Sequence, residues 1–570
     1  MKFSEMQYVR PDLNGTLDAL RWLRQQIDTA ESAEAQLDLY ASFDTLCRHV
    51  ATMATLAEIR HTVNTRDAFY EQERAFFDEN GPVLTDGQLD VYRALLASPF
   101  RGQLEKELGA IVFEKMEQDV KSQSPEVLEL MAEENRLTTA YRKLYASAQI
   151  PFDGKVLTVS QMAPYKTNPD RAVRKAAFEA EGTWFDSHQA ELDDLYDRLV
   201  KNRTRQARLM GYENFIPLGV IRMRRIGYTL EDMANYRACV RTDIVPVVKQ
   251  LKALQYARIG VHSPMLYDDG LCFAQGNPAP RGTPDEILAA GRRMYEKLSP
   301  ETAAFIRDMF ESECFDVLSK PGKAPGGYCT YLPDYRLPFI FSNFNATADD
   351  VDVLTHEAGH AFAAWVAAQR ELPAIVEEPG MESCEIHSMA MEFLTGDYHH
   401  LFFGPDTDRY QLAHAEDAIH FLPYGTMVDE FQHLVYANPE MTPLQRNETW
   451  AELEKQFRPW LNFEGIPFYG RGAGWQRQMH IYEEPFYYLD YCLAQTVALQ
   501  FFTAFLKDKQ DAWARYLALV KKAGTESYPG LVAAAGFDSP FQEGTLRRLG
   551  ASVAQWIVHQ DERCKDGSEG

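Results

Sequence analysis

The residues His356, Glu357 and His360 form the pattern H-E-x-x-H, which occurs once in the 570-residue sequence. Residues four apart on a helix lie on one face, so both imidazoles can reach the same metal ion. Glu357 lies beside them and can take a proton from a water molecule that the ion activates. The motif therefore predicts the metal site of a hydrolytic enzyme.

The segment before this motif predicts where its helix begins. Thr347 and Asp350 have the spacing of a capping box, which satisfies the first backbone N–H groups of a helix. The apolar pattern then continues to about residue 369 and leaves the two histidines facing the interior. A polar pair in such a position needs a metal ion as its partner.

A catalytic zinc site needs a third protein ligand and an open position for water. A metzincin would have Gly at position 363 and His at position 366, but the sequence has Ala363 and Val366, so this class is excluded. A carboxylate on a following helix remains. The sequence offers five candidates, which are Glu377, Glu378, Glu382, Glu385 and Glu392.

A second helix is predicted for Met381–Leu394, and it contains E-x-x-S-x-x-x-E from Glu385 to Glu392. Together with H-E-x-G-H, this pattern resembles the thimet oligopeptidase and oligoendopeptidase F family of zinc peptidases. The resemblance implies that His356, His360 and Glu385 are the ligands of one Zn²⁺ ion. It also gives Glu392 the role of orienting one of the histidines.

A second group of candidate residues follows a glycine-rich stretch at positions 470–474. The family has a histidine and a pair of tyrosines three residues apart near its zinc, and His480, Tyr488 and Tyr491 match this pattern. Phenols can donate hydrogen bonds to a developing oxyanion. The resemblance implies that role here and leaves open which tyrosine performs it, whereas Tyr487 is predicted to be a core residue. The sequence at 486–491, F-Y-Y-L-D-Y, is similar to the bacterial oligoendopeptidase F and Pz-peptidase branch.

Two further histidines have no ligand motif of their own. His387, on the second predicted helix, is expected to lie behind the site or at the surface. His414 is expected at the surface or in the core.

The elements around these motifs predict a mainly α-helical protein. Apolar residues recur at three- and four-residue intervals from position 17 to about 200, which is typical of amphipathic helices. Aromatic and small residues alternate at 319–345, which predicts one small β-sheet next to the zinc helix. Its last strand could be an edge with which an extended peptide pairs, or a purely structural hairpin.

The resemblance implies a large helical ellipsoid with a deep central substrate channel. We expect an N-terminal helical domain at 1–195 and a catalytic zinc-peptidase domain at 196–570, with a soft boundary between them.

Charge and composition limit the partners. The net charge is −25, which repels nucleic acids and anionic membrane surfaces. The one basic cluster, R-M-R-R at 222–225, is expected to be a solvated surface or a set of local ion pairs. There is no signal-peptide core, no apolar run of membrane-spanning length and no C-x-x-C among the eight cysteines, so we expect a cytoplasmic protein with free thiols.

These motifs predict a zinc-dependent endopeptidase that hydrolyses internal peptide bonds, and the resemblance implies that its substrates are short unstructured peptides. A zinc carboxypeptidase or dipeptidase of similar helical architecture is the alternative. It should need a cationic anchor for the terminal carboxylate of its substrate, and no arginine in the sequence stands out in that role. A helical binding protein with a structural zinc would have no use for a base and a set of phenols.

Overall fold

The computed structural model describes residues 1–324, 326–344, 347–377 and 379–566, and this part of the chain is mainly α-helical, as predicted. Glu378, one of the candidate ligands, lies outside the described residues. The helices are α1 Leu13–Thr29, α2 Ala33–Val63, α3 Ala68–Leu96, α4 Arg101–Leu108, α5 Ala110–Ser122, α6 Leu128–Ala146, α7 Ala163–Lys166, α8 Arg171–Ser187, α9 Gln189–Leu209, α10 Phe215–Arg222, α11 Leu230–Cys239, α12 Val245–Arg258, α13 Pro284–Leu298, α14 Pro300–Glu311, α15 Ala348–Ala368, α16 Ala374–Glu377, α17 Met381–Leu394, α18 His400–Phe403, α19 Thr407–Ala437, α20 Pro443–Phe457, α21 Met479–Glu483, α22 Tyr488–Lys507, α23 Lys509–Lys522, α24 Tyr528–Ala534 and α25 Thr545–Asp566.

The described strands form two small sheets. β1 Ile150–Phe152 and β2 Lys155–Leu157 make an antiparallel hairpin that was not predicted as a sheet. β3 Phe315–Leu318, β4 Tyr328–Leu332 and β5 Leu337–Phe344 make the sheet predicted beside the helix of the H-E-x-x-H motif. Their order is β3-β5-β4, with β3 parallel and β4 antiparallel to β5.

The strand that precedes α15 is in the centre of its sheet. β3 pairs with one side of β5 and β4 with the other, so the alternative in which this strand is an edge is wrong. Among the described strands the edges of this sheet are β3 and β4, and residues Tyr328, Cys329 and Thr330 of β4 line the cavity described below. The strand order depends on the parallel pairing of the four-residue β3, which is too short to be recognised in the sequence.

Three helices, α15, α17 and α22, pack together in the middle of the molecule. Most of their residues are buried, including apolar side chains on every face of α17 and α22, which is the pattern of central core helices. Among the described helices α22 alone is long and apolar enough to cross a membrane, but 72% of its apolar window is buried within the protein. Its apolar character is therefore explained by packing in the core.

The N-terminal helices have a smaller buried cluster of their own. It is formed by residues of α1 to α5 together with Ile375 and Val376 of α16. The large cluster continues from the N-terminal region into the C-terminal helices. The predicted boundary between residues 195 and 196 falls within α9 and stays a prediction.

Candidate active site

α15 presents both histidines of the H-E-x-x-H motif. The helix begins with the predicted capping box, in which the Thr347 N–H donates to Asp350 Oδ2 at 3.2 Å. His356 and His360 are one turn apart, with ring centroids separated by 4.9 Å. The two imidazoles therefore occupy one face of α15, as the spacing predicts.

α17 crosses α15 at very short distance because of Gly359. A Cβ at this position would come within 2.5 Å of the His387 carbonyl oxygen and 2.6 Å of Ser388 Cα. Both are backbone atoms that cannot turn away, so the contact requires a glycine. The close crossing brings Glu385, on α17, next to the two histidines of α15.

The three candidate ligands converge on one point. Glu385 Oε2 lies 3.3 Å from His356 Nε2 and 3.6 Å from His360 Nε2. One ligand atom from each residue lies within 4.8 Å of the other two. Ligand atoms at about 2.0–2.2 Å from a tetrahedral zinc ion are separated from one another by roughly 3.3–3.6 Å, so this donor set fits a single ion.

Glu385 is held in its ionised form. Burial acts to raise the pKa of its carboxyl, but the hydrogen bond and charge of His356 and the charge of His360 lower it to about 2. Ser388 Oγ donates to Oε2 at 3.2 Å, and the Tyr487 hydroxyl donates to Oε1 at 2.7 Å. The carboxylate is therefore oriented by its own helix and by the segment that precedes α22.

Glu392 links two histidines. Its Oε1 lies 2.8 Å from His356 Nδ1, and its Oε2 lies 2.8 Å from His414 Nε2. Burial acts to raise the pKa of Glu392, but the hydrogen bonds to the two histidines lower it to about 2. Because Nδ1 of His356 is engaged, Nε2 is the nitrogen that faces Glu385.

Glu357 faces the same cavity as the ligands. Burial raises the pKa of its carboxyl to about 7, against the opposing effect of His356 and of a hydrogen bond from the backbone of Cys329. A carboxylate that ionises near neutral pH can both accept and release a proton at that pH. The environment of Glu357 is thus suited to a general base.

A cavity of about 970 Å³ opens over these residues. Glu357 and the three candidate ligands form part of its wall, the edge strand β4 forms a second part, and Tyr487 and Tyr491 form a third. Its lining also includes Arg222 and Arg224 of the basic cluster. This volume can hold a segment of several peptide residues.

Tyr491 is the one candidate oxyanion donor within the described lining of the cavity. His480 and Tyr488 contact its ring, with centroid separations of 5.9 and 5.6 Å. Both are held by Gln478, which accepts a hydrogen bond from the Tyr488 hydroxyl at 3.0 Å and donates to His480 Nδ1 at 3.0 Å. The structure therefore brings all three candidates together, and Tyr491 is the one of the three that lines the cavity.

Sequence reasoning missed several contacts. Tyr487 is buried as expected, yet its hydroxyl reaches Glu385. His414 is a partner of Glu392, and nothing in its local sequence indicates this. His387 is 2% exposed and lines the cavity, so a surface position is wrong, and its Nε2 has no hydrogen-bond partner among the described residues.

Two family models match the sequence. The model described as "Peptidase M3 N-terminal domain" matches residues 3–123, and the model described as "Peptidase family M3" matches residues 302–551. The second range includes the H-E-x-x-H helix, the helix of Glu385 and the tyrosine segment.

Three known proteins illustrate the similarity. A solved structure titled "PZ peptidase A with inhibitor 2" is 43% identical, with a TM-score of 0.93 over 98% of this chain and 99% of that one. Oligopeptidase PepF of Bacillus subtilis is 22% identical over 88% of this chain and 77% of its own length. The structure of oligoendopeptidase-F from Enterococcus faecium is 15% identical, covers 97% of this chain and 98% of that one, and shares the fold with a TM-score of 0.63.

Proposed function

The chain belongs to peptidase family M3, on the branch of oligoendopeptidase F and Pz-peptidase, and from this premise we propose that it is a zinc-dependent endopeptidase. Its proposed substrates are short unstructured peptides, which it cleaves at internal bonds. Family membership supports a metallopeptidase that acts on oligopeptides. The zinc, the site residues and the mode of cleavage are the proposed parts.

One observation carries the proposal. Nitrogen atoms of His356 and His360 and an oxygen atom of Glu385 converge at distances that suit one ion, and Glu357 stands beside them in the same cavity. A structural zinc site is closed by four protein ligands, whereas a catalytic site has three and an open position. The proposal therefore assigns His356, His360 and Glu385 as the three ligands, Glu357 as the base and the cavity as the space for the substrate.

The chain's own residues perform the proton transfers. Zinc held by His356, His360 and Glu385 would supply Lewis-acid chemistry, polarising the scissile carbonyl and lowering the pKa of the attacking water. Glu357 takes the proton from that water as it adds to the carbonyl carbon. Tyr491 donates a hydrogen bond to the oxygen that becomes negative. Glu357 then passes the proton to the nitrogen of the leaving amine, and the C–N bond breaks.

The edge strand β4 suits an extended peptide. One side of β4 pairs with β5, and its residues Tyr328, Cys329 and Thr330 line the cavity that contains Glu357. A peptide added along this edge would form backbone hydrogen bonds that do not depend on its side chains. This arrangement favours broad recognition of unfolded peptides over recognition of one sequence.

The pairing of Arg224 with Asp119 favours internal cleavage over removal of C-terminal residues. Arg224 donates to both carboxylate oxygens of Asp119, at 2.6 and 2.9 Å. Arg222 donates to Gln206 at 2.6 Å and lies 3.6 Å from Glu134. Asp119 neutralises Arg224, so Arg224 is not a ready anchor for the terminal carboxylate of a substrate. Arg222 shares Glu134 with Arg203, which lies closer to that carboxylate, at 2.5 Å.

The eight cysteines suit the proposed cytoplasmic location. None of them forms a disulfide bond in the described part of the chain. Free thiols persist in reducing compartments, whereas oxidising ones favour disulfides. The cytoplasm therefore remains the proposed compartment.

The substitution Glu357→Gln tests the mechanism. We expect the variant to retain bound zinc, measured by elemental analysis, and to lose cleavage of an internally quenched peptide, because the amide cannot accept the proton. Masses of the products released by the unsubstituted protein separate internal cleavage from release of terminal residues. Cleavage that survives in Glu357→Gln contradicts the assigned base, and products shortened only at one end favour the carboxypeptidase alternative.

A further inference from the structure

Phe486 has an unusual backbone conformation directly beside the candidate site. Its φ angle is 73°, in the left-handed region that non-glycine residues avoid. Such a conformation is strained in a residue with a side chain and persists only where the surroundings impose it. The hydroxyl of the next residue, Tyr487, donates a hydrogen bond to Glu385. The backbone conformation of Phe486 therefore determines the position from which the Tyr487 side chain reaches Glu385.

Contacts with Gln432, Arg225 and Gly219 are among those that hold Phe486 in place. Its N–H donates to Gln432 Oε1 at 2.7 Å, and its carbonyl oxygen accepts a hydrogen bond from Arg225 Nη2 at 2.5 Å. Its ring lies against Gly219, where a Cβ would come within 2.5 Å of the ring carbon Cε2. Gln432, Arg225 and Phe486 are all buried, so no water replaces these contacts.

Arg225 also fixes the start of the next helix. Its guanidinium pairs with Asp490, in the first turn of α22, at 2.8 Å, and both side chains are fully buried. The basic cluster at 222–225 is therefore a set of ion pairs, and at Arg225 it is not a solvated surface. Because one buried arginine binds the Phe486 carbonyl and α22 together, the segment between them has a fixed geometry.

We propose that Gln432, Arg225 and Gly219 are positioning residues, which hold the Phe486 turn so that the Tyr487 hydroxyl meets Glu385. This rests on the proposed function, in which Glu385 is a metal ligand. A hydrogen bond to a ligating carboxylate fixes its orientation and tunes metal affinity. The three residues thus act on the metal site from α19, α10 and the segment before α11, and none of them is a candidate ligand, although Gly219 also lines the cavity.

Gln432→Leu is the primary test, because it removes one hydrogen bond and keeps the volume. Nε2 of Gln432 has no hydrogen-bond partner among the described residues, so the loss is confined to the bond with the Phe486 N–H. We expect Zn²⁺ affinity, measured by competition with a chelating dye, to fall roughly 10-fold, as for other residues behind a ligand. Tyr487→Phe should cause a similar fall.

The double variant Gln432→Leu/Tyr487→Phe separates positioning from general destabilisation. If Gln432 acts through Tyr487, the double variant binds Zn²⁺ no more weakly than Tyr487→Phe alone. Equal losses in both backgrounds, or no loss from Gln432→Leu, overturn the proposal. Because the readout is metal affinity, it decides the inference even if no peptide is cleaved, an outcome that would count only against the proposed function.

Gly219→Ala tests the third contact and remains informative if Gln432→Leu fails to fold. Gly81→Ala is the matched control, because Gly81 is also in a helix and a Cβ there meets nothing within 4 Å. We expect Gly219→Ala to weaken Zn²⁺ binding several-fold, again only when Tyr487 is present, and Gly81→Ala to leave it unchanged. Unchanged affinity in Gly219→Ala overturns the role of the ring contact.

Discussion

Nδ1 of His356 lies 2.8 Å from Oε1 of Glu392, and this contact determines which nitrogen of the histidine can bind a metal ion. The other oxygen of Glu392 contacts His414 of α19 at 2.8 Å. Glu392 is itself on α17, the helix of Glu385. The ring of His356 is therefore oriented by contacts that join α15, α17 and α19.

The first prediction concerns this contact. Glu392→Gln removes the charge that faces His356 and His414, and its amide can present a donor where the ring needs an acceptor. We expect Zn²⁺ affinity to fall about 10- to 100-fold, measured by competition with a chelating dye. Glu448→Gln, at an exposed position on α20, is the control and should bind zinc normally. Equal affinity in both variants would reject an orienting role for Glu392.

The second prediction distinguishes the two tyrosines. Tyr491 lines the cavity, whereas the hydroxyl of Tyr488 donates to Gln478. If Tyr491 stabilises the oxyanion, Tyr491→Phe should lower kcat by roughly 10²- to 10³-fold with little change in KM. Tyr488→Phe should have a smaller effect, since it acts through the packing of Tyr491. Steady-state kinetics with one quenched peptide measures both, and a larger loss in Tyr488→Phe would reverse the assignment.

The sequence predicted the mainly helical fold and the small sheet beside α15, and both are confirmed. A helix whose apolar residues recur with a 3.6-residue period can be predicted from its local sequence, and so can the capping box of Thr347 and Asp350. The central position of β5 in its sheet could not be predicted from the local sequence. It depends on pairing with β3, about 20 residues earlier, and a four-residue strand leaves almost no pattern.

The candidate ligands and base could be named from spacing and family resemblance, and their roles stay predictions. Apart from Glu392, the residues that orient these candidates through hydrogen bonds could not be named from the sequence. His414 and Gln432, both on α19, form hydrogen bonds with Glu392 and Phe486 that exist only after the helices pack. Gln478 likewise joins His480 to Tyr488. Tyr487 illustrates the limit. The sequence does not distinguish a tyrosine that only packs in the core from one whose hydroxyl also donates a hydrogen bond to Glu385.

The third prediction follows from the pKa of Glu357, which burial raises from its ordinary value of 4.5 to about 7. Between these two pH values the unfolded chain has lost this proton and the folded protein retains it. The free energy of unfolding therefore decreases as pH rises from 4.5 to 7, by about 3 kcal/mol from this group. Glu357→Gln lacks the titration and should not show this decrease.

Urea unfolding of metal-free protein measures this difference. Wild type and Glu357→Gln, both treated with EDTA, are compared at intervals from pH 4 to pH 8. The variant should gain stability relative to wild type as pH rises through this window, and the gain should level off above about pH 7. A stability difference that does not change with pH would show that Glu357 titrates normally.

The last prediction concerns Gly359, the residue at which α15 and α17 approach most closely. In Gly359→Ala the new methyl group would lie 2.5 Å from the His387 carbonyl oxygen, and the backbone of α17 has to move to relieve the contact. We expect a loss of about 1–3 kcal/mol in the free energy of unfolding, as for other overpacked core positions. Zn²⁺ affinity should fall as well, because Glu385 moves with α17 while His356 and His360 stay on α15.

Gly81→Ala is the matched control for this substitution, since its methyl group meets nothing within 4 Å. Chelator competition and urea unfolding on both variants separate the local effect from the general effect of replacing a helical glycine. Loss of stability with unchanged zinc affinity would mean that α15 and α17 shift together as one unit. In that case the short crossing at Gly359 stabilises the fold without determining the distance between the histidines and Glu385.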